Sequence, residues 1–561
     1  MAIDKKIPLN AYNPHSLRIR STTKSSTPIG VSNPGFWGVN ANVSVYHLSL
    51  WVRSTTIKTI DISLTTADGN KKYSSGSISG ITGQWKKFSI DLSLTPTNDS
   101  QAQFIFMWQS TGSIDSVYFD VVTAFPDDGW MGLPYVRADL VSKLAALHPA
   151  FVRFPGGCVV EGDDLVNRFN WKNALGPLEE RAGHWDLWNY WSEDGLGLFE
   201  YLSIIEKFTD IYGNPTRAIW VINNGISHGQ SLDPEQVVPY IDDALDSLEF
   251  AMGSTDSEWG SVRSDMGHPE PFKISFVAIG NEDCGKPFYN ENYQLFYDAI
   301  QSKYPTIKLI SNCDPNSIKG QPVQLWDYHI YTSAPQLAAM QNTFDDPAWR
   351  NSESKIFNSE YAVTDGAGMG NLLAALGEAA WMTGVERNSD VVTLASYAPL
   401  FVNINGYAWL PGAIIFDSEN SFGIPSYWNQ FIWANSFAGL VNGSVKTLTN
   451  SLSSGLSNVS VAVSIGEAQT GGIVLIHKLV NIKNAVESLL VTVKNLPSNA
   501  KLNPVFDVVT LSGPDPEGEN SFSDPMAISP VSWQLNVAGP TFEVTLPPWS
   551  VMIVRAYAST S

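Results

Sequence analysis

Apolar and polar residues alternate with a period of two in the first part of the chain, as in half-buried β-strands. The alternation is clear in the segments SVYHLSLWVRS, WKKFSIDLSL, AQFIFMWQS and SVYFDVVTAF, which are separated by Gly, Asn, Asp and Ser. Several short strands at this spacing predict a β-sandwich over residues 1–125. Trp37, Trp51 and Trp108 fit the core of this sandwich best, because aromatic rings dominate core energetics, and stacking on sugars is the alternative.

From residue 126 to residue 439 the pattern changes to short apolar runs that alternate with amphipathic stretches. The runs, which are typical of buried strands, are AFVRFPGG, RAIWVINN, FVAIGNE, KLISN, LWDYHIY, KIFNSEY and VVTLASYAPLF. Helical periodicity occurs between them, for example in EQVVPYIDDALDSLEFAMG and NLLAALGEAAWMTGVE. This alternation predicts a parallel (β/α)₈ barrel of the TIM type. A doubly wound sheet is the alternative, but no GxGxxG motif follows a first strand.

Residues 440–561 return to the period of two, in VSVAVSIGE, GGIVLIHKLVN, SLLVTVKNL and FEVTLPPWSVMIVRAYA. Turn residues divide these segments, so we predict a second β-sandwich. The expected fold is therefore multidomain, with a barrel flanked by an amino-terminal and a carboxy-terminal β-sandwich. The length of 561 residues agrees with this division, because it is too long for one ordinary core.

The charge of the chain restricts its partners. The formal net charge is −21, so binding to nucleic acid or to an anionic membrane is not expected, whereas a neutral polysaccharide is not repelled. We find neither an apolar run long enough to cross a membrane nor an apolar signal-peptide region at the amino terminus. The glycosylation sequons at Asn42, Asn98, Asn442 and Asn458 mildly favour a secreted glycoprotein.

The three cysteines, Cys158, Cys284 and Cys313, allow one disulfide bond and leave at least one thiol free. The sequence does not decide which two of them would pair. No CxxC or Cys/His spacing supports a metal site, and we expect none.

Polar residues close several of the predicted barrel strands. These strand ends contain Arg153, Asn223, Asn281, Glu282, Asp327, His329, Tyr331 and Glu360. Catalytic groups of such barrels lie at the carboxyl ends of the strands. Glu282 and Glu360 end the fourth and seventh barrel strands, roughly opposite each other across the mouth. A lone Glu here would be interpreted as a salt-bridge or helix-cap residue, but two carboxylates at one rim are what glycoside hydrolysis requires.

The sequence resembles the α-L-arabinofuranosidases of glycoside hydrolase family 51, which are retaining (β/α)₈ enzymes. The resemblance rests on the ordered blocks FVRFPGGCVVEGDDL, WKNALGPLEERAGHW, DGLGLFEYL, HPEPFKISFVAIGNEDCG, FYDAIQSKYPTIKLI, KIFNSEYAVTDG and ERNSDVVTLASYAPLFVNING. It extends from about residue 15 to the end, and the first sandwich is similar to a carbohydrate-binding module. It implies a secreted enzyme that removes terminal arabinofuranosyl groups from plant cell-wall polysaccharides such as arabinoxylan and arabinan, or from arabino-oligosaccharides.

The resemblance also implies roles for single residues. Glu282 would be the general acid/base and Glu360 the nucleophile of a double displacement. Asn281 would bind the sugar 2-hydroxyl, and Tyr331 would hold the carboxylate of Glu360 in place. The other residues implied in the sugar pocket are His329, Asn223, Arg153 and Trp188. Trp191 is an alternative to Trp188 as the apolar wall of the pocket, and core packing is an equal interpretation for both tryptophans.

The retaining mechanism adds three expectations. The two carboxyl groups are expected about 5 Å apart. No metal or organic cofactor is needed. The negative charge of Glu360 is expected to raise the pKa of Glu282 by like-charge repulsion, so that Glu282 stays protonated and can act as an acid.

Members of the resembled family begin with a first barrel strand that carries a Phe-Glu-x-Ile-Asn-His-like segment before the binding-module domain. No such segment occurs before His15, and seven barrel strands can be counted in place of eight. We therefore expect the first strand to be missing, which would leave two unpaired sheet edges. An incomplete sequence, a natural truncation and a replacement strand are the alternatives, and an incomplete or altered amino terminus is favoured.

Three functions are compatible with these features. The first is the exo-acting α-L-arabinofuranosidase, which the motifs favour. The second is another retaining glycosidase of the same clan, either a β-xylosidase or an endo-β-glucanase, with an open cleft in place of a closed pocket. The third is a catalytically inactive carbohydrate-binding protein, which a missing strand would favour and the presence of both carboxylates opposes.

Overall fold

The computed structural model describes residues 1–21, 27–111, 114–318, 320–448, 459–498 and 500–560. Nine strands come first: β1 (Ala2–Asp4), β2 (Ser16–Ser21), β3 (Ile29–Asn33), β4 (Val45–Arg53), β5 (Thr59–Thr65), β6 (Lys72–Ser79), β7 (Lys86–Ser93), β8 (Gln103–Trp108) and β9 (Asp115–Pro126). They form two antiparallel sheets, with the strand orders β1-β2-β9-β4-β7 and β3-β8-β5-β6.

One apolar core lies between these two sheets. In β4 every second side chain is buried, including Leu48 and Leu50, because successive residues of a strand point to opposite faces. Trp108 is buried in this core, as the favoured interpretation of the sequence expected, and Trp51 is half-buried. Trp37 is 49% exposed, so the core interpretation is wrong for that residue.

The middle part of the chain alternates strands with helices. Its strands are β10 (Phe151–Phe154), β11 (His184–Trp185), β12 (Trp191–Ser192), β13 (Arg217–Ile222), β14 (Ile274–Ile279), β15 (Lys308–Ser311), β16 (Leu325–Ser333), β17 (Lys355–Asp365), β18 (Val392–Ala395), β19 (Phe401–Asn403), β20 (Ile414–Phe416) and β21 (Ser421–Gly423). Its helices are α1 (Ala138–Ala145), α2 (Leu198–Ile205), α3 (Val238–Met252), α4 (Glu258–Asp265), α5 (Tyr289–Lys303), α6 (Ala334–Ala339), α7 (Leu372–Arg387) and α8 (Pro425–Asn435). No helix in the described part of the chain is both long and apolar enough to cross a membrane.

Seven of these strands form one parallel sheet in the order β10-β13-β14-β15-β16-β17-β18. The sheet curls, because side chains from all seven strands meet in a single inner core. The inner-core residues on these strands are Phe151, Ile219, Val221, Phe276, Ala278, Ile310, Leu325, Phe357 and Leu394. The rings of Phe151 on edge strand β10 and Phe357 on β17 are 5.3 Å apart between centroids. The first and the sixth strands of the sheet therefore approach each other across the inner core, as in a barrel.

The last part of the chain is again built of strands: β22 (Lys446–Thr447), β23 (Val459–Glu467), β24 (Ile473–Asn481), β25 (Glu487–Thr492), β26 (Ala500–Leu502), β27 (Val505–Ser512), β28 (Val531–Asn536), β29 (Thr541–Leu546) and β30 (Ser550–Thr560). The larger sheet has the order β22-β23-β24-β30-β27-β28, and β26 also pairs with β30. The pair β25-β29 faces it, and one apolar core includes residues of both sheets.

Helix α7 joins the barrel to this last part, because one apolar cluster contains residues of α7, of β17 and of β24. At the carboxyl end of the helix, Glu386 accepts hydrogen bonds from Trp433 (2.8 Å) and Ser464 (2.6 Å) and pairs with the ammonium group of Lys478. Lys478 is fully buried, and burial lowers its pKa to about 8. A buried cation of this kind is tolerated because the carboxylate of Glu386 lies beside it.

A disulfide bond joins Cys284 to Cys313, and Cys158 is the free thiol. Cys284 lies in the turn after β14, and Cys313 follows β15. The bond therefore ties together the carboxyl ends of two neighbouring strands of the parallel sheet.

We expect the double variant Cys284→Ser/Cys313→Ser to be less stable by up to about 3–4 kcal/mol, because the bond closes a loop of 29 residues in the unfolded chain. The measurement is the shift of the denaturant midpoint under oxidising conditions. Adding a reductant should bring the parent to the midpoint of the variant and leave the variant where it is. Equal midpoints in oxidising buffer would contradict the expected contribution.

Candidate active site

The carboxyl ends of the parallel strands bring most of the predicted site residues to one edge of the sheet. Arg153 lies on β10, Glu360 lies on β17, and His329 on β16 is aligned with Glu360 in the register of these two strands. Glu282 lies in the turn after β14 with a φ of 52°, a left-handed conformation that residues other than glycine rarely adopt. The turn directs the side chain of Glu282 outward, so that 48% of it is exposed.

Glu360 is the more buried carboxylate, with 11% of its side chain exposed. Its Oε1 accepts a hydrogen bond from Nη1 of Arg153 at 2.8 Å, and its Oε2 accepts one from the hydroxyl of Tyr331 at 2.6 Å. Burial, followed by the charge of Glu360, raises the pKa of Tyr331 far above its ordinary value. Tyr331 therefore keeps its proton and acts on Glu360 as a hydrogen-bond donor.

His329 lies between the two glutamates. Its Nδ1 is 2.7 Å from Oε1 of Glu282 and 3.5 Å from Oε2 of Glu360. Its Nε2 is 2.8 Å from Oγ of Ser359 and 3.3 Å from Oδ2 of Asp327. A carboxylate oxygen of Glu282 and one of Glu360 lie within 4.8 Å of each other. The site therefore places two carboxylates close together with an imidazole beside both.

The protonation of His329 changes the expected state of Glu282. Burial alone would lower the pKa of His329, but the carboxylate of Asp327 and the hydrogen bonds to Asp327 and Glu282 raise it to about 10. The hydrogen bond from this imidazolium, more than any other contact, lowers the pKa of Glu282. The expectation that the charge of Glu360 raises the pKa of Glu282 is therefore wrong. The pKa of Glu282 is lowered, because the imidazolium of His329 lies in hydrogen-bond contact with it.

A second network lies behind Arg153. Its Nη2 donates to Oδ1 of Asn281 at 2.6 Å, and Nδ2 of Asn281 donates to Oε2 of Glu161 at 3.0 Å. Nζ of Lys286 contacts Glu161 at 2.5 Å and Asp283 at 2.9 Å. Burial, followed by the charge of Glu161, raises the pKa of Asp283 to about 7. The side chain of Asn281 is fully buried, and both of its polar atoms form the hydrogen bonds given above.

The remaining predicted residues have different environments. The side-chain nitrogen of Asn223 donates to the carbonyls of Val160 (2.9 Å) and Ile226 (2.8 Å), and its side-chain oxygen accepts a hydrogen bond from the backbone of Gly225. These bonds hold the loop that follows β13 in place. Trp188 is half-buried in the turn of the β11-β12 hairpin, with its ring 6.4 Å from that of Trp409.

The sequence analysis did not identify Glu161 or Trp409 as residues of the site, and it did not identify Asp327 as a residue of an ion pair. Glu161 lies within the block FVRFPGGCVVEGDDL, and Asp327 lies at a strand end, so both had a signal in the sequence. Trp409 lies in the loop between β19 and β20, with its ring 5.4 Å from that of Tyr331. No strand-end pattern points to a loop residue.

Two groups of three potential metal ligands occur among the described residues, namely Glu282 with His329 and Glu360, and Cys158 with Glu161 and His228. In the first group His329 is protonated near neutral pH, and an imidazolium has no lone pair for a metal. In the second group the ammonium of Lys286 already contacts Glu161 at 2.5 Å. In both groups a basic side chain therefore already pairs with a carboxylate that a metal ion would use.

Beside Glu282 a cavity of about 300 Å³ opens between β16 and the disulfide-linked loop. Cys284, Asn312 and Asp314 line one side of it, and His329 lines the other. The exposed carboxylate of Glu282 therefore faces a space that can hold part of a ligand, and the more buried Glu360 is not among the residues that line this space.

A curled parallel sheet with two carboxylates this close at its carboxyl edge defines a glycoside hydrolase of the kind that uses paired carboxylates. Two family models match the chain: the α-L-arabinofuranosidase 1 domain over residues 143–350, and the α-L-arabinofuranosidase C-terminal domain over residues 353–550. The chain belongs to the α-L-arabinofuranosidases of glycoside hydrolase family 51, and the resemblance found in the sequence is confirmed.

Individual relatives agree with this assignment. α-L-arabinofuranosidase 1 of Arabidopsis thaliana is 42% identical over 529 residues, covering 93% of this chain and 75% of the relative. An extracellular exo-α-L-arabinofuranosidase of Streptomyces chartreusis is 31% identical over 79% of this chain and 54% of its own length. The solved structure of an arabinose-bound MgGH51 α-L-arabinofuranosidase has a TM-score of 0.89 at 28% identity, covering 99% of this chain and 90% of the other. The predicted barrel with a carboxy-terminal domain is confirmed by this likeness.

We expect Arg153→Ala to reduce the free energy of unfolding by about 3–5 kcal/mol, because it leaves the carboxylates of Glu360 and Asp327 buried without their cation. Arg153→Lys should cost less, since it keeps the charge and loses the two-pronged geometry. The measurement is denaturant unfolding at neutral pH. Lys303→Ala, which removes an exposed ion pair, is the control and should cost at most about 1 kcal/mol. A cost for Arg153→Ala no larger than that of the control would contradict the analysis.

Proposed function

We propose that this protein is a retaining exo-α-L-arabinofuranosidase, with Glu360 as the nucleophile and Glu282 as the general acid/base. The observation that carries the proposal is the unequal environment of two carboxylates within 4.8 Å of each other. Glu360 is buried and accepts hydrogen bonds from Arg153 and Tyr331, whereas Glu282 is half-exposed at a cavity. The separation fits the retaining class, in which the two carboxyl groups are about 5 Å apart.

The reaction has two displacements. In the first, a carboxylate oxygen of Glu360 attacks the anomeric carbon, the glycosidic bond breaks, and Glu282 gives its proton to the departing oxygen. The sugar is then an ester of Glu360. In the second, Glu282 takes a proton from water, the water oxygen attacks the anomeric carbon, and Glu360 leaves as a carboxylate. Arg153 and Tyr331 stabilise Glu360 as an anion at the start and at the end of the cycle.

The proposed substrate is a terminal non-reducing α-L-arabinofuranosyl group on a neutral chain such as arabinoxylan, arabinan or an arabino-oligosaccharide. The family assignment supports this sugar over the β-xylosidase and endo-β-glucanase alternatives and over an inactive binding protein. The cavity beside Glu282 provides space for the leaving group, since the acid must reach the oxygen that departs. The net charge of −21 favours a neutral polymer over a polyanion.

We further propose that the protein acts outside the cell and has three domains, residues 1–125, 126–439 and 440–561. The first would be a carbohydrate-binding-module-like sandwich, which its two antiparallel sheets around one core support. Secretion is supported by the extracellular relative, and Asn42, Asn98 and Asn442 are exposed sequons available for glycosylation. Asn458 lies outside the described residues.

We expect Glu360→Ala to lower kcat on 4-nitrophenyl α-L-arabinofuranoside by several orders of magnitude, because no ester can form. Glu282→Ala should lose about 10²–10⁴-fold in kcat/KM with a poor leaving group but much less in kcat/KM with the aryl substrate, because 4-nitrophenolate departs without a proton. Glu291→Ala, at an exposed position of α5, is the control and should match the parent.

Azide distinguishes the two roles by the configuration of the product. With Glu282→Ala it should attack the sugar ester and yield the arabinofuranosyl azide of retained α configuration. With Glu360→Ala it should attack the substrate itself from the opposite face and yield the β azide. The measurement is the anomeric configuration of the product by NMR. The reverse pattern, or an unaffected kcat in Glu360→Ala, would contradict the assignment.

We expect His329→Asn to move the alkaline limb of kcat/KM to higher pH. His329 lowers the pKa of Glu282 through its hydrogen bond and its charge, so an uncharged residue there lets the pKa of Glu282 rise. Glu282 must be protonated to act as an acid, so a higher pKa extends activity upward in pH. The measurement is the pH profile of kcat/KM on an unactivated arabinoside, with Glu291→Ala as the control. A shift to lower pH would contradict this and would indicate that His329 and Glu282 share the acid proton.

A further inference from the structure

Exposed aromatic side chains lie on three chain segments near the candidate active site, and one of these segments, the β19-β20 loop, contacts the other two. The hairpin β11-β12 carries Trp185, Tyr190 and Trp191, the loop between β19 and β20 carries Tyr407 and Trp409, and the turn after β3 carries Trp37. Each of these six is 39% to 53% exposed. Large exposed apolar patches of soluble proteins mark binding surfaces. The mechanism proposed above uses none of these six side chains.

The β19-β20 loop connects this surface to the catalytic groups. The ring of Trp409 lies 5.4 Å from the ring of Tyr331, whose hydroxyl donates to Glu360. On the other side, Trp409 lies 6.4 Å from Trp188 in the turn of the β11-β12 hairpin. The hairpin and the loop therefore border the same opening of the candidate active site.

Trp37 extends the surface onto the first group of strands. Its ring covers Gly406 of the β19-β20 loop so closely that a Cβ at Gly406 would be 2.2 Å from a ring carbon. Trp37 has a φ of 63°, and its carbonyl accepts a hydrogen bond from the side chain of Gln101 at 3.1 Å. Gly406 precedes Trp409 by three residues, so their Cα atoms are at most about 11 Å apart.

Asp99, Asp417 and Glu419 lie along the contact between the first group of strands and the loop after β20, and they outnumber the one guanidinium beside them, that of Arg137. Asp99 accepts a hydrogen bond from the backbone of Gln101, and Ser418, between Asp417 and Glu419, donates to the carbonyl of Ser100. Burial, and to a smaller extent the charges of Asp417 and Asp99, raise the pKa of Glu419. A polyanion would be repelled here, whereas a neutral chain would not.

We propose that Trp37, together with Tyr407 and Trp409, forms a binding site for the neutral polysaccharide chain that carries the arabinofuranosyl group. The inference rests on the proposed function, because the surface begins at the candidate active site. The C–H faces of sugar rings pack on aromatic rings, whose faces carry partial negative charge. The first group of strands then contributes directly to the substrate site, by holding the main chain while its terminal sugar enters the pocket.

The test compares Trp37→Ala, Trp37→Phe and the parent on soluble arabinoxylan and on 4-nitrophenyl α-L-arabinofuranoside. We expect Trp37→Ala to lower the ratio of kcat/KM on the polymer to kcat/KM on the aryl substrate about fivefold or more. Trp37→Phe should restore most of the ratio, because it keeps an aromatic face. Trp533→Ala removes a tryptophan of similar exposure (40%) on β28 and is the matched control, with the ratio of the parent.

Binding is measured separately in the Glu360→Ala background, by affinity electrophoresis in gels that contain arabinoxylan or polygalacturonate. Retardation by arabinoxylan that is lost in Trp37→Ala, with no retardation by polygalacturonate, would support the site. Unchanged ratios and retardation in a folded Trp37→Ala protein would overturn it while leaving the proposed function intact. Failure of the parent to release 4-nitrophenol would overturn the proposed function and, with it, this inference.

Discussion

The buried ion pair between Arg153 and Glu360 is the interaction on which the rest of the site depends. A carboxylate with 11% of its side chain exposed has lost most of its contact with water, and hydrogen bonds and a cation must compensate for that loss. Arg153 supplies the cation at 2.8 Å, and its second nitrogen fixes Asn281 at 2.6 Å. Because Asn281 directly precedes Glu282, one guanidinium positions the segments that carry both glutamates.

This pairing is possible only because the parallel sheet curls. Arg153 lies on edge strand β10, while Glu360 lies on β17, the sixth strand of the sheet. The contact of Phe151 with Phe357 one layer below brings the same two strands together through apolar packing. The apolar layer thus sets the approach of the strands, and the ion pair occupies the rim that this approach creates. The ring contact and the ion pair both depend on the curl of the sheet, because an open sheet would leave the rings and the charges exposed to water.

The sequence was sufficient to predict the seven strands of the parallel sheet and the position of two glutamates at one edge of it, because both follow from local pattern: a buried apolar run and the residue that ends it. It was insufficient for the pKa of Glu282, since the hydrogen bond from His329 comes from another strand and its charge depends in turn on buried Asp327. Trp37 was assigned to a core for a similar reason, because alternation shows which face a strand residue takes but says nothing of a turn residue. Trp409 could be found only in three dimensions, where its loop meets Tyr331.

The difference in burial between the glutamates matches the work that the proposed mechanism gives them. A nucleophile attacks one carbon from one direction, so fixed donors on both oxygens cost it little freedom and keep it aligned. An acid/base residue acts twice, on the departing oxygen and then on water, and both must reach it from the cavity. Glu282 meets that need by leaving its strand in a left-handed turn, with a neighbouring disulfide that limits how far the turn can move. Its Oε1 is held by His329, which leaves Oε2 for a glycosidic oxygen or a water molecule at the cavity beside it.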